Sequence, residues 1–584
     1  MDRSLVSQPG FIAHDLTFEL QQVQSVTVEK IVALYTSRDP GISESGQDAR
    51  LAVARAADFA ELLSSHQRAW QRAWNRCDIE MDSVNEWSAT VLHLHIFHLL
   101  QTVSPRRAHL DVGVPARGWH GEAYRGHIFW DELFIFPYIN FQRPLLAAAL
   151  LEYRYARLGA ARAAARDAGF AGAMFPWQSG SNGREETQRL HLNPMSGRWL
   201  PDRSHLQRHV NIAIAHSVWQ HYMVTGSLEF LRFTGAELLI EIARFWSSIA
   251  TYNRAAERYE INGVMGPDEY HDGYPNSDEE GVRNNTYTNI MAVWVLQRAL
   301  EALQELPPHY NRQELVEELA IRDDELERWR DISRKMTVVF HGDGVLSQFE
   351  GYEQLAEFDW EGYRDKYGNI RRLDRVLEAE DDSTNRYKVS KQADVLMLLY
   401  LLSRDELRGL LAGLGYEVSE EQLARTVDYY LGRTSHGSTL SSVVTAWVLA
   451  RYAPDKAWRF LQQALQSDVA DIQGGTTAEG IHLGAMGGTV DLVLRCLTGT
   501  RARGQVLRFD PAMPPEIKQL RFSVHYRGHR IELVFSDDRV EVSSRPGPAT
   551  PITVSVREQT VELHPGAAYL LTGLRPGRPQ VKRC

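Results

Sequence analysis

Residues 263–304 read GVMGPDEYHDGYPNSDEEGVRNNTYTNIMAVWVLQRALEALQ, a polar loop that leads directly into an amphipathic segment. The loop is rich in Gly, Pro, Asp and Asn, the residues that favour turns. In 286–304 the apolar residues recur at the spacing of one helix face, which predicts a helix. The same order, a long loop and then a helix, recurs along most of the chain and favours a mainly helical fold.

The same periodicity predicts helices on both sides of this unit. They are expected within 52–74 and at 85–102, 144–166, 207–224, 236–252, 286–304, 312–338, 391–402, 420–430, 438–452, 456–466 and near 488–498. The long loops lie at 111–138, 170–205, 262–285, 341–390 and 430–437. Such loops are usually functional or disordered, and these hold too many aromatic residues for disorder. We therefore expect a toroid of paired helices whose site is built from loops at one end.

Both ends of the chain have a different pattern. Residues 16–36 are rich in β-branched residues and alternate in part, which predicts one or two strands. Residues 503–584 contain short alternating runs separated by Gly, Pro and Asp, which predict a small antiparallel β domain. The predicted division is an N-terminal β remnant at 1–40, a helical domain at 41–502 and a C-terminal β domain at 503–584.

Composition excludes several classes of protein. The 584 residues are 43% hydrophobic and 24% charged, which is ordinary for a globular chain. The net charge is −11 and no basic block stands out, so no nucleic-acid partner is expected. With no visible secretory signal and no apolar run near the about 20 residues of a membrane span, we expect a cytoplasmic protein and no membrane partner. Cys77, Cys496 and Cys584 lie far apart, so neither a metal site nor a disulfide framework is expected.

The first candidate for chemistry is the turn at 266–267 and the acid that follows it. This Gly-Pro turn presents Glu269 beside Tyr270 and His271. A carboxyl among aromatic groups has its neutral form favoured, which is what a general acid needs. The alternative is an acidic surface loop with a helix cap at Asn285, and these residues alone favour that alternative slightly.

A second candidate lies in YRGHIFWDELFIFPY, residues 124–138. Asp131 can accept hydrogen bonds from two sugar hydroxyls while Trp130 or Phe129 covers a face of the sugar. The alternative is a buried strand or helix with one hydrogen-bonded Asp.

A third candidate is TSHGSTLSS, residues 434–442. Its hydroxyls, together with the N–H groups at the start of the next helix, suit an oxyanion and particularly phosphate. The hydroxyl donors are Ser435, Ser438 and Thr439, and Gly437 allows close approach of the backbone. Arg433 or His436 can add charge. An N-cap at Ser438 or Thr439 is the alternative, and both interpretations can hold together.

Two further segments are weaker signals. In KQAD, residues 391–394, Lys391 and Gln392 open an apolar helix and can reach into a site, or they serve solubility alone. The segment GGTTAEGIHLGAMGGTVD, residues 474–491, does not fit a dinucleotide fingerprint and is expected to be a close-packed loop lining a pocket. No metalloprotease, Walker A, nucleophile-elbow or EF-hand pattern is present, so no cofactor is expected.

Together these segments resemble glycoside hydrolase family 65, the family of maltose, trehalose and kojibiose phosphorylases. The matching pieces, in family order from about residue 110 to 500, are GHIFWDELFIFP, FPWQSGSNGREET, GVMGPDEYH with NNTYTN, KQADVLMLLYLL, RTSHGSTLS and TTAEGIHLGAMGG. The resemblance implies an (α/α)6 barrel followed by a small C-terminal antiparallel β domain. It also implies a large N-terminal β-sandwich, of which we expect only the short remnant around 16–36.

The resemblance also implies roles for individual residues. It makes Glu269 the general acid and Asp131, with Trp130 beside it, the residue that holds the nonreducing glucose. It places Lys391 and Gln392 along the sugar site. The loop that cradles phosphate then supplies Ser435, His436, Gly437, Ser438 and Thr439. The implied partners are a disaccharide and inorganic phosphate as co-substrate, and a homodimer is left open.

One chemical argument favours phosphorolysis over hydrolysis. An inverting hydrolase needs a second carboxylate, about 6.5–9.5 Å from the first, to deprotonate a water molecule. Phosphate is already an anion and needs donors instead, and residues 430–442 contain hydroxyls but no carboxylate. Inverting phosphorolysis of an α-glucoside to β-glucose 1-phosphate is therefore the leading hypothesis. An α-glucosidase with Glu479 as base and a non-catalytic sugar-binding remnant stay open.

Overall fold

The structure is a computed structural model that describes residues 2–104, 110–121, 123–472, 475–573 and 580–583. The chain separates into two compact units, residues 1–75 and 76–584. Cys584 lies outside the described residues, whereas Cys77 and Cys496 are buried free cysteines.

The first unit contains a β-hairpin and two helices. Its elements are β1 (Asp2–Gln8), β2 (Phe11–Thr17), α1 (Ser45–Ala54) and most of α2 (Phe59–Cys77). The hairpin closes at Gly10, whose φ of 73° is the left-handed conformation that a tight hairpin turn requires. The prediction of strands at 16–36 is wrong beyond Thr17. The alternating residues of 26–34 have no ladder partner in this unit, and alternation alone does not make a strand.

The second unit holds the remaining described helices. They are α3 (Glu86–Thr102), α4 (Glu132–Gln142), α5 (Pro144–Tyr155), α6 (Leu158–Asp167), α7 (Val210–Thr225), α8 (Leu228–Phe230), α9 (Ala236–Ile249), α10 (Thr286–Glu305), α11 (Arg312–Glu318), α12 (Asp323–Lys335), α13 (Trp360–Tyr367), α14 (Leu373–Ala379), α15 (Leu396–Leu401), α16 (Arg404–Gly413), α17 (Glu420–Leu431), α18 (Thr439–Leu449), α19 (Pro454–Gln466) and α20 (Leu483–Asp491).

Helices α4, α7, α10, α15, α18 and α20 form an inner ring. Each packs against the next, and α20 packs against α4, which closes the ring. Outer helices cover the seams: α5 contacts both α4 and α7, α9 contacts α7 and α10, and α19 contacts α18 and α20. The predicted (α/α)6 barrel is therefore confirmed.

Burial explains which helices the sequence pattern revealed. Outer helix α19 buries only one face, including Leu461 and Leu465, and its periodicity is clear. Every residue of α4 is buried, so ELFIFPYINFQ has no polar face to set a period. The assignment of 111–138 to a loop is wrong for this reason from Glu132 onward.

Two sheets follow the barrel. Their strands are β3 (Ile79–Ser83), β8 (Arg501–Arg503), β9 (Val506–Phe509), β10 (Ile517–Tyr526), β11 (His529–Ser536), β12 (Arg539–Ser544), β13 (Ile552–Val556), β14 (Gln559–Leu563), β15 (Ala568–Thr572) and β16 (Gln580–Arg583). The first sheet has the order β16-β15-β12-β11-β10-β3 and the second the order β14-β13-β9-β8. Strand β3 comes from the segment before the barrel, and β9 pairs with β13 in parallel while the other pairs are antiparallel. The rings of Phe509 and Phe535 pack between the two sheets with centroids 5.4 Å apart.

Two short hairpins interrupt the barrel loops, β4 (Leu190–Leu192) with β5 (Trp199–Pro201) and β6 (Thr251–Asn253) with β7 (Arg258–Glu260). Over the ranges that the structure describes, no helix is both long and apolar enough to cross a membrane.

Candidate active site

Several predicted site residues lie at or shortly before the N-terminal ends of inner helices. Each inner helix is reached through an outer helix of opposite direction, so the inner helices start at one end of the barrel. Asp131 directly precedes α4, Ser438 caps α18 and His482 directly precedes α20. Lys391 and Gln392 lie in the loop before α15, which begins at Leu396 and not at 391 as predicted. Helix N-termini carry partial positive charge, so this end of the barrel favours anions.

Glu269 has a strained backbone. Its φ is 62°, a backbone conformation that residues other than Gly rarely adopt. Such strained residues cluster at functional sites. The turn before it needs glycine, because a Cβ on Gly266 would lie 2.2 Å from Asp394 Oδ2 and 2.5 Å from Asn285 Nδ2. Asn285 also caps α10, its Oδ1 accepting from the Thr288 N–H at 2.9 Å. The residue that caps α10 thus also lies against the turn that precedes Glu269.

Both oxygens of the Glu269 carboxyl accept hydrogen bonds. Lys391 Nζ donates to Oε2 at 2.7 Å and Gln392 Nε2 donates to Oε1 at 2.7 Å. The Glu269 side chain is 25% exposed, so it remains open to a ligand. The predicted aromatic surroundings of this carboxyl are wrong, since Tyr270 and His271 turn away into the protein.

A buried polar layer supports the loop from below. Asp268 Oδ2 lies 2.5 Å from His271 Nδ1 and accepts from Gln348 Nε2 at 2.6 Å. Burial, together with the charge of Asp268, raises the pKa of Asp394 well above its ordinary value. The Asp394 carboxyl accepts from Asn285 Nδ2 at 3.1 Å. These buried hydrogen bonds hold the backbone next to Glu269 in place.

The serine-rich loop contacts this acid loop directly. Gly437 N donates to Lys391 O at 2.8 Å, and Ser435 N donates to Ser390 O at 2.8 Å. Ser435 Oγ is hydrogen-bonded to the Tyr270 hydroxyl at 2.8 Å. The structure therefore brings the segments around 269, 391 and 437 together at one end of the barrel.

His436 and Arg433, the two residues expected to add charge to this loop, have different environments. Burial, followed by the nearby charge of Arg371, lowers the pKa of His436 to about 4, so His436 is neutral near pH 7. Its Nδ1 lies 2.8 Å from Ser441 Oγ, and its φ is 54°. The Arg433 guanidinium is ion-paired with Glu357 at 3.1 Å. The expectation of positive charge is wrong for His436, and the Arg433 charge is paired with Glu357, so the loop itself offers neutral donors at a helix start.

His482 is a site residue that the sequence analysis did not identify. Its Nε2 lies 2.6 Å from Asp131 Oδ1 and its Nδ1 lies 2.5 Å from Thr439 Oγ1. One imidazole thus joins the predicted sugar residue to the predicted phosphate loop. Gly484 makes this possible, because a Cβ there would lie 2.6 Å from Asp131 Oδ1. No sequence pattern pointed to it, because the last helix was predicted near 488–498 and α20 begins at Leu483, directly after His482.

Aromatic rings line the wall beside Asp131. Trp130 is buried, and its ring lies 4.8 Å from that of His209 and 6.1 Å from that of Trp177. The row continues through Phe129, 5.7 Å from Trp177, to Tyr124, 4.7 Å from Phe129. Tyr124 is 44% exposed and marks the outer end of the row. Trp130 packs against the neighbouring rings beside Asp131. A contact between Trp130 and a sugar stays a prediction.

Glu479, the base of the hydrolase alternative, is exposed to solvent. It ends a short 3-10 turn, and among the described residues it forms no hydrogen bond or ion pair with Glu269 or Lys391. Its backbone packs on Gly121, where a Cβ would come within 2.1 Å of the Glu479 carbonyl group. This location gives no support to a role in the centre of the site.

Three family models match the chain in order. "Glycosyl hydrolase family 65, N-terminal domain" matches residues 2–73, "Glycosyl hydrolase family 65 central catalytic domain" matches 93–491, and "Glycosyl hydrolase family 65, C-terminal domain" matches 500–563. The central model alone covers more than half of the chain.

Known proteins resemble the chain along most of its length. An uncharacterized glycosyl hydrolase of Mycobacterium tuberculosis is 52% identical over 553 residues, which are 95% of this chain but 41% of that protein. A trehalose 6-phosphate phosphorylase of Lactococcus lactis is 36% identical over 95% of this chain and 70% of its own length. A kojibiose phosphorylase of Halothermothrix orenii is 32% identical over 90% of this chain and 66% of its own length. The chain thus spans less than half of the first relative.

A solved structure shares the fold. A putative kojibiose phosphorylase from human microbiome superposes with a TM-score of 0.74 at 22% identity, covering 92% of this chain and 72% of the other.

Proposed function

The chain belongs to glycoside hydrolase family 65, and we propose that it cleaves an α-glucosidic disaccharide by inverting phosphorolysis. The products are β-glucose 1-phosphate and a free sugar. Glu269 is the general acid, Asp131, Lys391 and Gln392 hold the glucosyl unit, and the 435–439 loop holds phosphate. The proposal includes a cytoplasmic location, which suits a reaction that consumes phosphate and makes a charged sugar.

One observation carries the proposal. The acid and the donor-rich loop meet at Lys391, whose Nζ binds Glu269 at 2.7 Å and whose carbonyl accepts from Gly437 N at 2.8 Å. On the side of Gly437 the site offers hydroxyls and a helix N-terminus without any carboxylate in 430–442. That combination fits one protein acid facing an anionic nucleophile.

The proposed reaction is a single displacement. A phosphate oxygen forms a bond to the anomeric carbon while the bond from that carbon to the glycosidic oxygen breaks. Glu269 gives its proton to the departing oxygen, which leaves as a hydroxyl of the free sugar, and later regains a proton from water. Attack from the face opposite Glu269 inverts the centre. We expect sugar hydroxyls to take over N–H groups of Lys391 and Gln392, which leaves Glu269 to carry the proton.

The relatives named above bear on the disaccharide. Their names state trehalose 6-phosphate and kojibiose, and a further relative from Geobacillus stearothermophilus, 30% identical over 81% of this chain, is an alpha,alpha-trehalose phosphorylase. For this chain the substrates to be tested are therefore trehalose, kojibiose and maltose, with the acceptor sugar varied. A homodimer remains part of the proposal and is tested by its mass in solution.

Phosphate dependence tests the proposal. With the matching disaccharide, we expect cleavage to need inorganic phosphate and to release glucose 1-phosphate as the β anomer, because phosphate is the nucleophile. Proton NMR of the fresh reaction identifies the anomer, and sulfate at equal ionic strength is the control. Equal glucose release with and without phosphate would contradict phosphorolysis.

Replacing Glu479 separates the phosphorylase from the hydrolase. We expect Glu479→Gln to keep kcat within about twofold, because this carboxylate is exposed and phosphate needs no protein base. The measurement is the rate of glucose 1-phosphate formation at saturating phosphate. Abolished turnover in this variant would instead support a base-assisted hydrolase.

A further inference from the structure

A chain of hydrogen bonds runs from the serine-rich loop to Asp131. Thr439 Oγ1 lies 2.5 Å from His482 Nδ1, and Nε2 of the same ring lies 2.6 Å from Asp131 Oδ1. Thr439 and Asp131 are buried, and the His482 side chain is 14% exposed. The backbone N–H of His482 donates to Asp468 Oδ2 at 2.8 Å, which holds this residue between its two partners.

The groups at the two ends of the chain decide where its protons lie. A carboxylate can only accept, so His482 Nε2 carries the ring proton and donates it to Asp131. A neutral imidazole has one ring proton, which leaves Nδ1 as an acceptor. The Thr439 hydroxyl therefore donates to Nδ1, because two acceptors would otherwise face each other at 2.5 Å. The Thr439 proton is thus engaged by His482, and only the lone pairs of Oγ1 remain for a ligand.

Ser438, the preceding residue, has the opposite character. Its Oγ accepts from Leu440 N at 3.3 Å, and in the part of the chain that the structure describes its hydroxyl proton has no protein acceptor. Ser438 is half-buried, so this proton can be given to a ligand. The loop therefore combines a hydroxyl that can donate, at Ser438, with one that can only accept, at Thr439.

We propose that Thr439, oriented by His482, selects a protonated oxyanion, so that the site accepts monohydrogen phosphate and rejects sulfate. The inference rests on the proposed function and names what makes its anion site specific. The two anions have the same charge and nearly the same size, but only monohydrogen phosphate has a hydroxyl that can donate to Thr439 Oγ1. With sulfate, two acceptor oxygens face each other without a proton between them, and a buried acceptor without a donor is costly.

Competition between anions tests the inference. Formation of glucose 1-phosphate is measured at saturating disaccharide and mildly alkaline pH, where ordinary imidazoles are neutral and most phosphate carries one proton. Sulfate is the inhibitor, and arsenate, which also carries one proton there, is the matched control anion. The measured quantity is the Ki for sulfate divided by the KM for phosphate, and melting curves show whether each variant is folded.

We expect this ratio to be at least about ten in the unmodified protein, with arsenate competing about as well as phosphate. Thr439→Val removes the acceptor and should bring the ratio close to one, whereas Thr439→Ser keeps the hydroxyl and should keep most of the ratio. Ser438→Ala is the matched control in the same loop. It should weaken both anions by similar factors and leave the ratio within about twofold of its original value.

Replacement of His482 tests the direction in which the Thr439 proton points. In His482→Leu the Thr439 hydroxyl loses its acceptor and can donate to the anion, so the Ki for sulfate should fall at least about threefold. Gln offers both an N–H donor and an oxygen acceptor, so His482→Gln should keep the Ki for sulfate near its original value. A purely structural role of His482 would instead raise the Ki for sulfate in His482→Leu.

Three results overturn the inference and leave phosphorolysis standing. They are sulfate that competes as well as phosphate in the unmodified protein, a ratio that Thr439→Val leaves unchanged, and a Ki for sulfate that rises in His482→Leu. Turnover of the disaccharide that does not depend on phosphate would instead overturn the proposed function, and the inference with it.

Discussion

Glu269→Gln is expected to lower kcat for phosphorolysis by about a thousandfold, within the about 10²–10⁴-fold that a positioned general acid contributes. The amide has nearly the shape of the carboxyl and can still accept from Lys391, whose Nζ lies 2.7 Å from Glu269. It cannot give a proton to the departing oxygen, so bond cleavage slows while KM changes little. Initial rates of glucose 1-phosphate formation measure the effect.

A donor with a better leaving group separates acid catalysis from damage to the fold. Fluoride needs little protonation to depart, so α-glucosyl fluoride with phosphate should remain a substrate of Glu269→Gln. Glu279→Gln, an exposed acid in the same loop, is the matched control and should keep normal rates with both donors. Loss of both reactions would point to misfolding, and normal rates with the disaccharide would remove Glu269 from its role. Turnover that depends on Glu269 would also dismiss a non-catalytic sugar-binding remnant.

Helices with one exposed face were predictable from the sequence. Residues 286–304 were predicted and α10 spans Thr286–Glu305, because Asn285 supplies a cap and 297–305 retain partly exposed positions that set the period. Helix α4 was not predictable in the same way, because the ring of the barrel buries even Glu132, which pairs with Arg154 at 2.8 Å. Whether such a helix is surrounded depends on the other helices and not on its own pattern.

The residues of the candidate site could be predicted from the sequence, but the contacts between them could not. The acid, the Lys-Gln pair and the hydroxyl loop could be identified from segment order and resemblance. The contact of Asp131 with His482 joins residues 351 positions apart, and no local pattern encodes it. The order of residues in the sequence also led to a wrong expectation about the neighbours of the Glu269 carboxyl. Its φ of 62° turns the side chain to Lys391 and Gln392, although Tyr270 follows it in the sequence.

Gly437→Ala is expected to lower kcat/KM for phosphate at least about a hundredfold, the cost of moving a site group by about 1 Å. A Cβ on Gly437 would lie 2.2 Å from the Arg371 carbonyl oxygen and 3.0 Å from Lys391 Cγ. The first contact is with backbone that Tyr270 holds in place, so the loop must yield. Displacement of the loop moves its hydrogen-bond donors away from phosphate. Because Gly437 N also donates to Lys391 O, it also disturbs the Lys391 side chain that binds Glu269.

Gly432→Ala is the matched control in the same loop. Its Cβ would meet nothing closer than 3.8 Å, and φ at Gly432 is −74°, which any residue adopts. We expect this variant to keep the rate within about twofold. Both variants are compared by phosphate titration at saturating disaccharide and by thermal melting, since overpacking costs about 1–3 kcal/mol of stability. A Gly437→Ala protein that melts lower but keeps the KM for phosphate would show that the loop serves the fold alone. A KM for phosphate that rises in Gly437→Ala while the protein remains folded at the assay temperature would support phosphate binding beside this glycine.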